Sequence, residues 1–410
     1  MKLTPIPSSL FSRNRVKLTG LMDSGSMAVA VSAERMPRNG DQFYPYRQHS
    51  DFFYLTGINQ EDSMLILYPD HGDPALREIL FIRKPTLKSD LWSGPVLSTK
   101  EAAKLSGISE VRWMDEADAI LELLIPGASL VYADQKEKFE PEQKILTLSP
   151  MLSRLRMVKE TEEIEEIKKA ARITHSAFLK VLKMLKPGMT EYQVEAEIIG
   201  EFIRRGARGH AYDPIVASGK NALVLHYIHN CSTCREGELL LMDFGAELNN
   251  YAADCSRTIP VNGQFSGRQQ ELYEAVHRVF KQARDMMHPG VVMDDFHNNV
   301  GKLWEEEHLR LGLYTLSEVK KQADTEPLWK KYFMHGTTHS LGLDVHDPFD
   351  RSVPFEPGMV LTCEPAIYIP EEGTGIRLEN DILITDSGPV DLLEDVPMEA
   401  AHIEELMSIP

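Results

Sequence analysis

Residues 239–261 read LLLMDFGAELNNYAADCSRTIPV. Two apolar, β-prone runs flank the turn material Leu248-Asn249-Asn250, which is the pattern of an antiparallel hairpin. With a two-residue loop at Leu248 and Asn249, position 247 pairs with 250 and 243 pairs with 254. Asp243 and Asp254 are then expected directly opposite each other on one face, with Cβ atoms roughly 5 Å apart. Gly245 and Ala252 share that face and leave room beside the carboxylates. Two like charges so placed destabilise a hairpin unless a cation or partner lies between them. A solvated hairpin face is the plain alternative, but LLLM is too apolar for an exposed edge. A bound metal resolves the repulsion.

Working outward, two more carboxylates stand in similar settings. Glu364 closes the apolar run MVLTCE and is followed by proline, a strand end. Glu379 lies in GIRLENDILIT, where Ile376, Leu378, Ile382 and Ile384 share one face and Arg377, Glu379 and Asp381 the other. Alternation of this kind suits the wall of a site, and equally an ordinary surface strand. Between the hairpin and these strands, residues 334–347 read MHGTTHSLGLDVHD, with histidines at 335, 339 and 346. A zincin helix needs glutamate directly after the first histidine, and here Gly336, two threonines and Gly342 make poor helix material. Asp243, Asp254, Glu364, Glu379 and one histidine therefore form an oxygen-rich donor set with a single nitrogen. Four carboxylates balance two divalent ions. Such ligation favours Mn²⁺ or Mg²⁺ over a thiolate zinc site, with Co²⁺ and Zn²⁺ also accommodated. A pair of ions about 3.5–4 Å apart activates water and polarises a carbonyl or phosphoryl group.

The rest of the chain sets bounds. Its 410 residues suit two or three domains. A net charge of −18 argues against nucleic acid as partner. No run of 18 apolar residues predicts a membrane span, and the opening MKLTPIPSSLFSRNRVKL has no signal-peptide core. Four cysteines in so long a chain do not make a disulfide framework, and CSTC (Cys231 to Cys234) lacks a second pair; reduced thiols in a cytoplasmic protein are the expectation.

Short apolar runs (MLILYP, EILFIRK, SLVYADQ) mixed with helical stretches predict an α/β domain over 1–152. The spacing of Ile164, Ile167, Ala171, Phe178, Val181 and Leu185 predicts a long helix, N-capped by Thr161 and stopped by Lys186-Pro187-Gly188. It opens a second, α+β domain over 153–410, with further helices at 190–206, 267–287 and 292–312.

The series DFGAELNNYAAD, HGTTHSLGLDVHD, CEPAIY and IRLEND resembles the five-ligand signature of the pita-bread dinuclear metallopeptidases. YPYRQHSDFFYLTG (44–57), RLRMVK, YDPIVASGKNALVLHY and the terminal IEELM extend the likeness to the aminopeptidase P branch over nearly the whole chain. The resemblance implies a C-terminal pita-bread fold; the smaller N-terminal domain, with no catalytic candidates of its own, is expected to cap the pocket and mediate assembly. It implies that Asp243 binds one metal, that Asp254 and Glu379 bridge both, and that His339 and Glu364 complete the second. A hydroxide between the metals is then the nucleophile and Glu364 the general base and proton carrier. His226, His335 and His346 match histidines that hold substrate and stabilise the tetrahedral intermediate. Tyr368 and Arg377 match pocket-lining positions. Trp92, in SDLWSGP, matches an aromatic reaching a neighbouring subunit, which suggests a homodimer or homotetramer.

The implied reaction removes the first residue from peptides whose second residue is proline, a tertiary amide with no N–H to grip. A prolidase restricted to Xaa-Pro dipeptides shares every ligand and differs at the pocket's far end. A non-catalytic binding protein of this fold is expected to have lost ligands.

Overall fold

The segment from Thr161 to Met184 folds as one helix. Ile167, Ala170, Ala171, Thr174, Ala177, Phe178, Val181 and Leu182 recur three and four apart and are buried, so one apolar stripe faces the core. The N-cap is Glu160 rather than the expected Thr161. Glu160 is extended, and its N–H donates to the Glu163 carboxylate (2.9 Å), a bond that places Thr161 inside the first turn. Leu185 leaves the helix in an extended conformation ahead of Pro187.

The computed structural model describes residues 5–86, 91–92, 94–134, 144–323 and 326–409. The chain divides into two compact units, residues 2–156 and 157–410. The first is built on a mixed six-stranded sheet. Its strands run in the order Glu110–Trp113, Glu78–Ile82, Met64–Leu67, Ser26–Val31, Leu130–Tyr132, Ile145–Leu146. The three inner ladders around Met64–Leu67 and Ser26–Val31 include two antiparallel pairings, and the outer ones are parallel. Met27, Val29, Ile66, Phe81, Leu124 and Val131 form its core.

The second unit combines the helices Thr161–Met184, Glu191–Arg204, Gly267–Asp285 and Met293–Arg310 with small antiparallel sheets. One sheet joins Ile215–Ser218, Leu239–Asp243 and Ser256–Pro260; another joins Tyr251–Ala252, Ala246–Leu248 and Gly209–His210. A third joins Val360–Cys363, Asn380–Thr385 and Gly388–Asp391, and Ala366–Ile369 pairs with Thr374–Arg377. The chain therefore changes sheet at 244–245, 253–255, 364–365 and 378–379. Each candidate carboxylate lies at or beside one of those breaks.

The hairpin register differs from the expected one. Its turn is Asn249-Asn250, both at positive φ (51° and 67°), with Leu248 opposite Tyr251 and Asp243 opposite Ser256. A two-residue hairpin turn wants left-handed backbone at both central positions, which asparagine tolerates and leucine does not. The strands then close in at Gly245, where a Cβ would sit 1.7 Å from the Ala253 carbonyl oxygen. Among the described residues, no helix is long and apolar enough to cross a membrane.

Candidate metal centre

Sheet changes leave side chains at strand ends free to turn inward, and four carboxylates do so here. Asp243 ends the strand Leu239–Asp243, and Asp254 lies just before Ser256–Pro260. The Tyr212 hydroxyl spans them, 2.6 Å from Asp243 Oδ1 and 2.5 Å from Asp254 Oδ1. So the two aspartates meet although they are not cross-strand partners. Glu364 follows the strand Val360–Cys363, its N–H donating to the Thr337 carbonyl (2.9 Å). Glu379 separates Thr374–Arg377 from Asn380–Thr385 and accepts from Ser256 Oγ (2.7 Å).

His339 joins this set. Its Nε2 is 3.4 Å from Asp254 Oδ2 and 3.8 Å from Glu364 Oε1. Its Nδ1 lies 3.1 Å from the Ser340 carbonyl, which can only accept, so Nδ1 carries the proton and the Nε2 lone pair is the atom suited to ligate a cation. Donor atoms of Asp254, His339 and Glu379 all lie within 4.8 Å of one another.

Electrostatics show what the cluster lacks. Burial pushes the Asp243 carboxyl up to about 6, with Asp254 adding to the rise and Arg377 opposing it. Burial likewise takes Glu364 up to about 7 against His339 and Arg377. Glu379 is driven well above the carboxylate range by burial and by Asp254, Glu364 and Asp243. Burial would depress His339, but Asp254 and Glu364 outweigh it and hold the imidazole up at about 9. Too much negative charge for too little positive charge is the mark of a cation site. The oxygen-rich donors fit divalent cations.

The other predicted residues stand around this set. His335 Nδ1 is 3.4 Å from Glu364 Oε2, and its Nε2 is 3.0 Å from the Tyr368 hydroxyl. Burial, then the Arg377 charge, depresses His335 to about 3, so it is neutral. Arg377 donates through Nη1 to Tyr368 (2.8 Å) and through Nη2 to Asp243 (2.7 Å). The His346 ring packs 4.2 Å from His339, and burial followed by the His339 charge lowers its pKa. His226 lines the same cavity of about 510 Å³, beside Leu225, Ile228 and Val345. Trp92 belongs to the other unit and is 79% exposed; Ser89, Asp90 and Ser93 of its block lie outside the described residues.

Tyr212 opens the block YDPIVASGKNALVLHY but has no role assigned there, because a tyrosine beside His210, Asp213 and Pro214 reads as loop material. Thr362, whose Oγ1 accepts from the His339 N–H (3.0 Å), likewise carried no signal, whereas Asp381, which accepts from the Asp254 N–H (3.1 Å), lay on the polar face expected beside Glu379.

Residues 165–386 match the model of metallopeptidase family M24. The chain belongs to metallopeptidase family M24. Its residues 11–132 match the aminopeptidase P N-terminal domain. The M24 chain is 34% identical to Xaa-Pro aminopeptidase of Escherichia coli over 99% of each chain. It resembles the structure of zinc-substituted E. coli aminopeptidase P in complex with product (34% identity, 98% and 99% covered, TM-score 0.91). A glutamate-to-alanine variant of the same enzyme with bound substrate matches equally well (33% identity, 98% and 99% covered, TM-score 0.91). The fold is thus the α+β pita-bread type with an N-terminal α/β domain. M24 membership implies divalent metal ions, and the carboxylate–histidine cluster suits them.

Proposed function

We propose that this chain is an Xaa-Pro aminopeptidase, hydrolysing the first peptide bond of peptides with proline second. The observation that carries the reading is the convergence of Asp243, Asp254, His339, Glu364 and Glu379 on one cavity. End-to-end similarity to proteins named for that activity supports it.

These five residues would hold two divalent ions, Mn²⁺ best matching so many oxygen donors, with Co²⁺ and Zn²⁺ as the other candidates. Ions held there would supply Lewis acidity, lowering the pKa of a water and polarising the scissile carbonyl. Glu364 takes the proton of the attacking water. Breaking the Xaa–Pro bond releases a secondary amine that needs a proton, and Glu364 returns one. Its position 3.4 Å from His335 supports this carrier role. His335, His346 and His226 orient the substrate carbonyl and meet the charge that develops on its oxygen. Arg377, held by Tyr368 and Asp243, keeps a positive charge beside the cluster at all working pH. Trp92, exposed as it is, supports assembly into a dimer or tetramer in which it reaches a neighbouring copy. Four free thiols agree with a cytoplasmic setting.

The test is release of the N-terminal residue by metal-stripped protein resupplied with Mn²⁺. Cleavage of Ala-Pro-Ala is the expected result. Cleavage of the dipeptide Ala-Pro alone would make the protein a prolidase, and silence on both with metal bound would leave a binding protein.

A further inference from the structure

We propose that His297 is a positioning residue for the hydrolytic site, holding Thr337 and through it the segment that carries His335 and orders Glu364. The inference rests on the peptidase reading above. His297 lies on the helix Met293–Arg310, which supplies no residue to the lining of the catalytic cavity.

Two routes lead from His297 into the site. The first is polar: its Nδ1 is 2.8 Å from the Thr337 hydroxyl. Thr337 is buried, stands between His335 and His339, and its carbonyl accepts the Glu364 N–H at 2.9 Å. A shift of Thr337 therefore moves Glu364 and the two histidines together. The second route is packing. The His297 ring meets Trp329 edge-on (5.3 Å between centroids) and tilts against Phe333 (5.8 Å). Phe333 in turn packs edge-on against His335 (4.9 Å).

The polar route does the work that packing alone cannot. The segment 334–339 has no helix or strand of its own to fix it. A hydroxyl buried there needs a partner, and His297 is the one it has. With that bond, the 335–339 backbone is pinned from the helix side while the Glu364 N–H pins it from the other.

The experiment compares His297→Phe, which keeps an aromatic ring and loses the bond, with His297→Asn, whose side-chain amide can replace Nδ1. Thr337→Val and the His297→Phe/Thr337→Val pair complete the cycle. Ala-Pro-Ala hydrolysis, bound Mn²⁺ and the melting temperature are read on each protein. The expected result is a kcat roughly tenfold lower in His297→Phe and in Thr337→Val, as for loss of one hydrogen bond. KM stays within about twofold, since ground-state binding is untouched. His297→Asn recovers most of the loss, and the double variant is no worse than either single one. Full kcat in His297→Phe would overturn the proposal. So would equal losses in the Phe and Asn variants. A wild-type protein silent on both peptides would overturn the peptidase reading itself; an active wild type with an indifferent His297→Phe overturns only this inference.

Discussion

Glu364 illustrates how much one side chain is asked to do. It faces His339 and His335 at once, and its carboxyl is pushed up to about 7 by burial. Replacing it by Gln preserves volume and removes the group proposed to carry the proton. Turnover should fall by about 10²- to 10⁴-fold while circular dichroism still reports a folded protein. Retained activity would remove Glu364 from the mechanism. A second glutamate speaks to stability instead. Glu163 is buried in the first turn of its helix, where burial lifts it from 4.5 to about 7 although the Glu160 N–H and Lys159 oppose the rise. The folded state therefore binds this proton more tightly than the unfolded one. The stabilisation it brings is complete below about pH 4.5 and is lost as pH rises through about 7. Glu163→Gln stays neutral throughout. Its stability relative to wild type should improve between pH 5 and pH 8 by on the order of 2–3 kcal/mol in urea titrations. A pH-independent difference would mean that Glu163 ionises normally.

At the scale of elements, the helix Thr161–Met184 packs against the hairpin strands Ala246–Leu248 and Tyr251–Ala252. Phe178 is fully buried, stacks on Phe244 at 6.2 Å and lies 6.0 Å from the Arg257 guanidinium. Arg257 bonds the carbonyls of Glu379 and Val396, so loosening here reaches a candidate ligand. Phe178→Ala should cost about 3–5 kcal/mol in equilibrium unfolding; a loss below 1 kcal/mol would show that the core refills the gap. Helix spacing was readable from the apolar residues because a period near 3.6 survives any tertiary setting. The hairpin register was less so. Leu248-Asn249 and Asn249-Asn250 are both two-residue loops on paper, and only the left-handed demand at both turn positions selects the second. The selected turn moves the pairing of Asp243 from Asp254 to Ser256, and the aspartates meet through Tyr212 instead.

For the whole molecule, the cation is a structural component as well as a chemical one. Asp243, Glu364 and Glu379 are all pushed up in pKa by burial and by their acidic neighbours, so the metal-stripped fold carries repulsion that divalent ions remove. Adding Mn²⁺ to stripped protein at about 100 times its dissociation constant should stabilise it by roughly 2.7 kcal/mol. The measurement is the melting temperature against Mn²⁺ concentration, and a flat curve would mean that the cluster does not bind the ion. The sequence alone determined which residue types were present and in what local phase: carboxylates at the ends of apolar runs, histidines in a stretch that cannot be helical, and an apolar stripe on the long helix. Those features depend on neighbours a few positions away. Only the tertiary structure decided that Tyr212 lies between two aspartates and that His297 reaches Thr337, 40 residues away in the chain. It also decided that the chain changes sheet beside each carboxylate. Contacts of this kind join segments through space, and the energy of a buried polar group is settled by whichever partner the fold delivers.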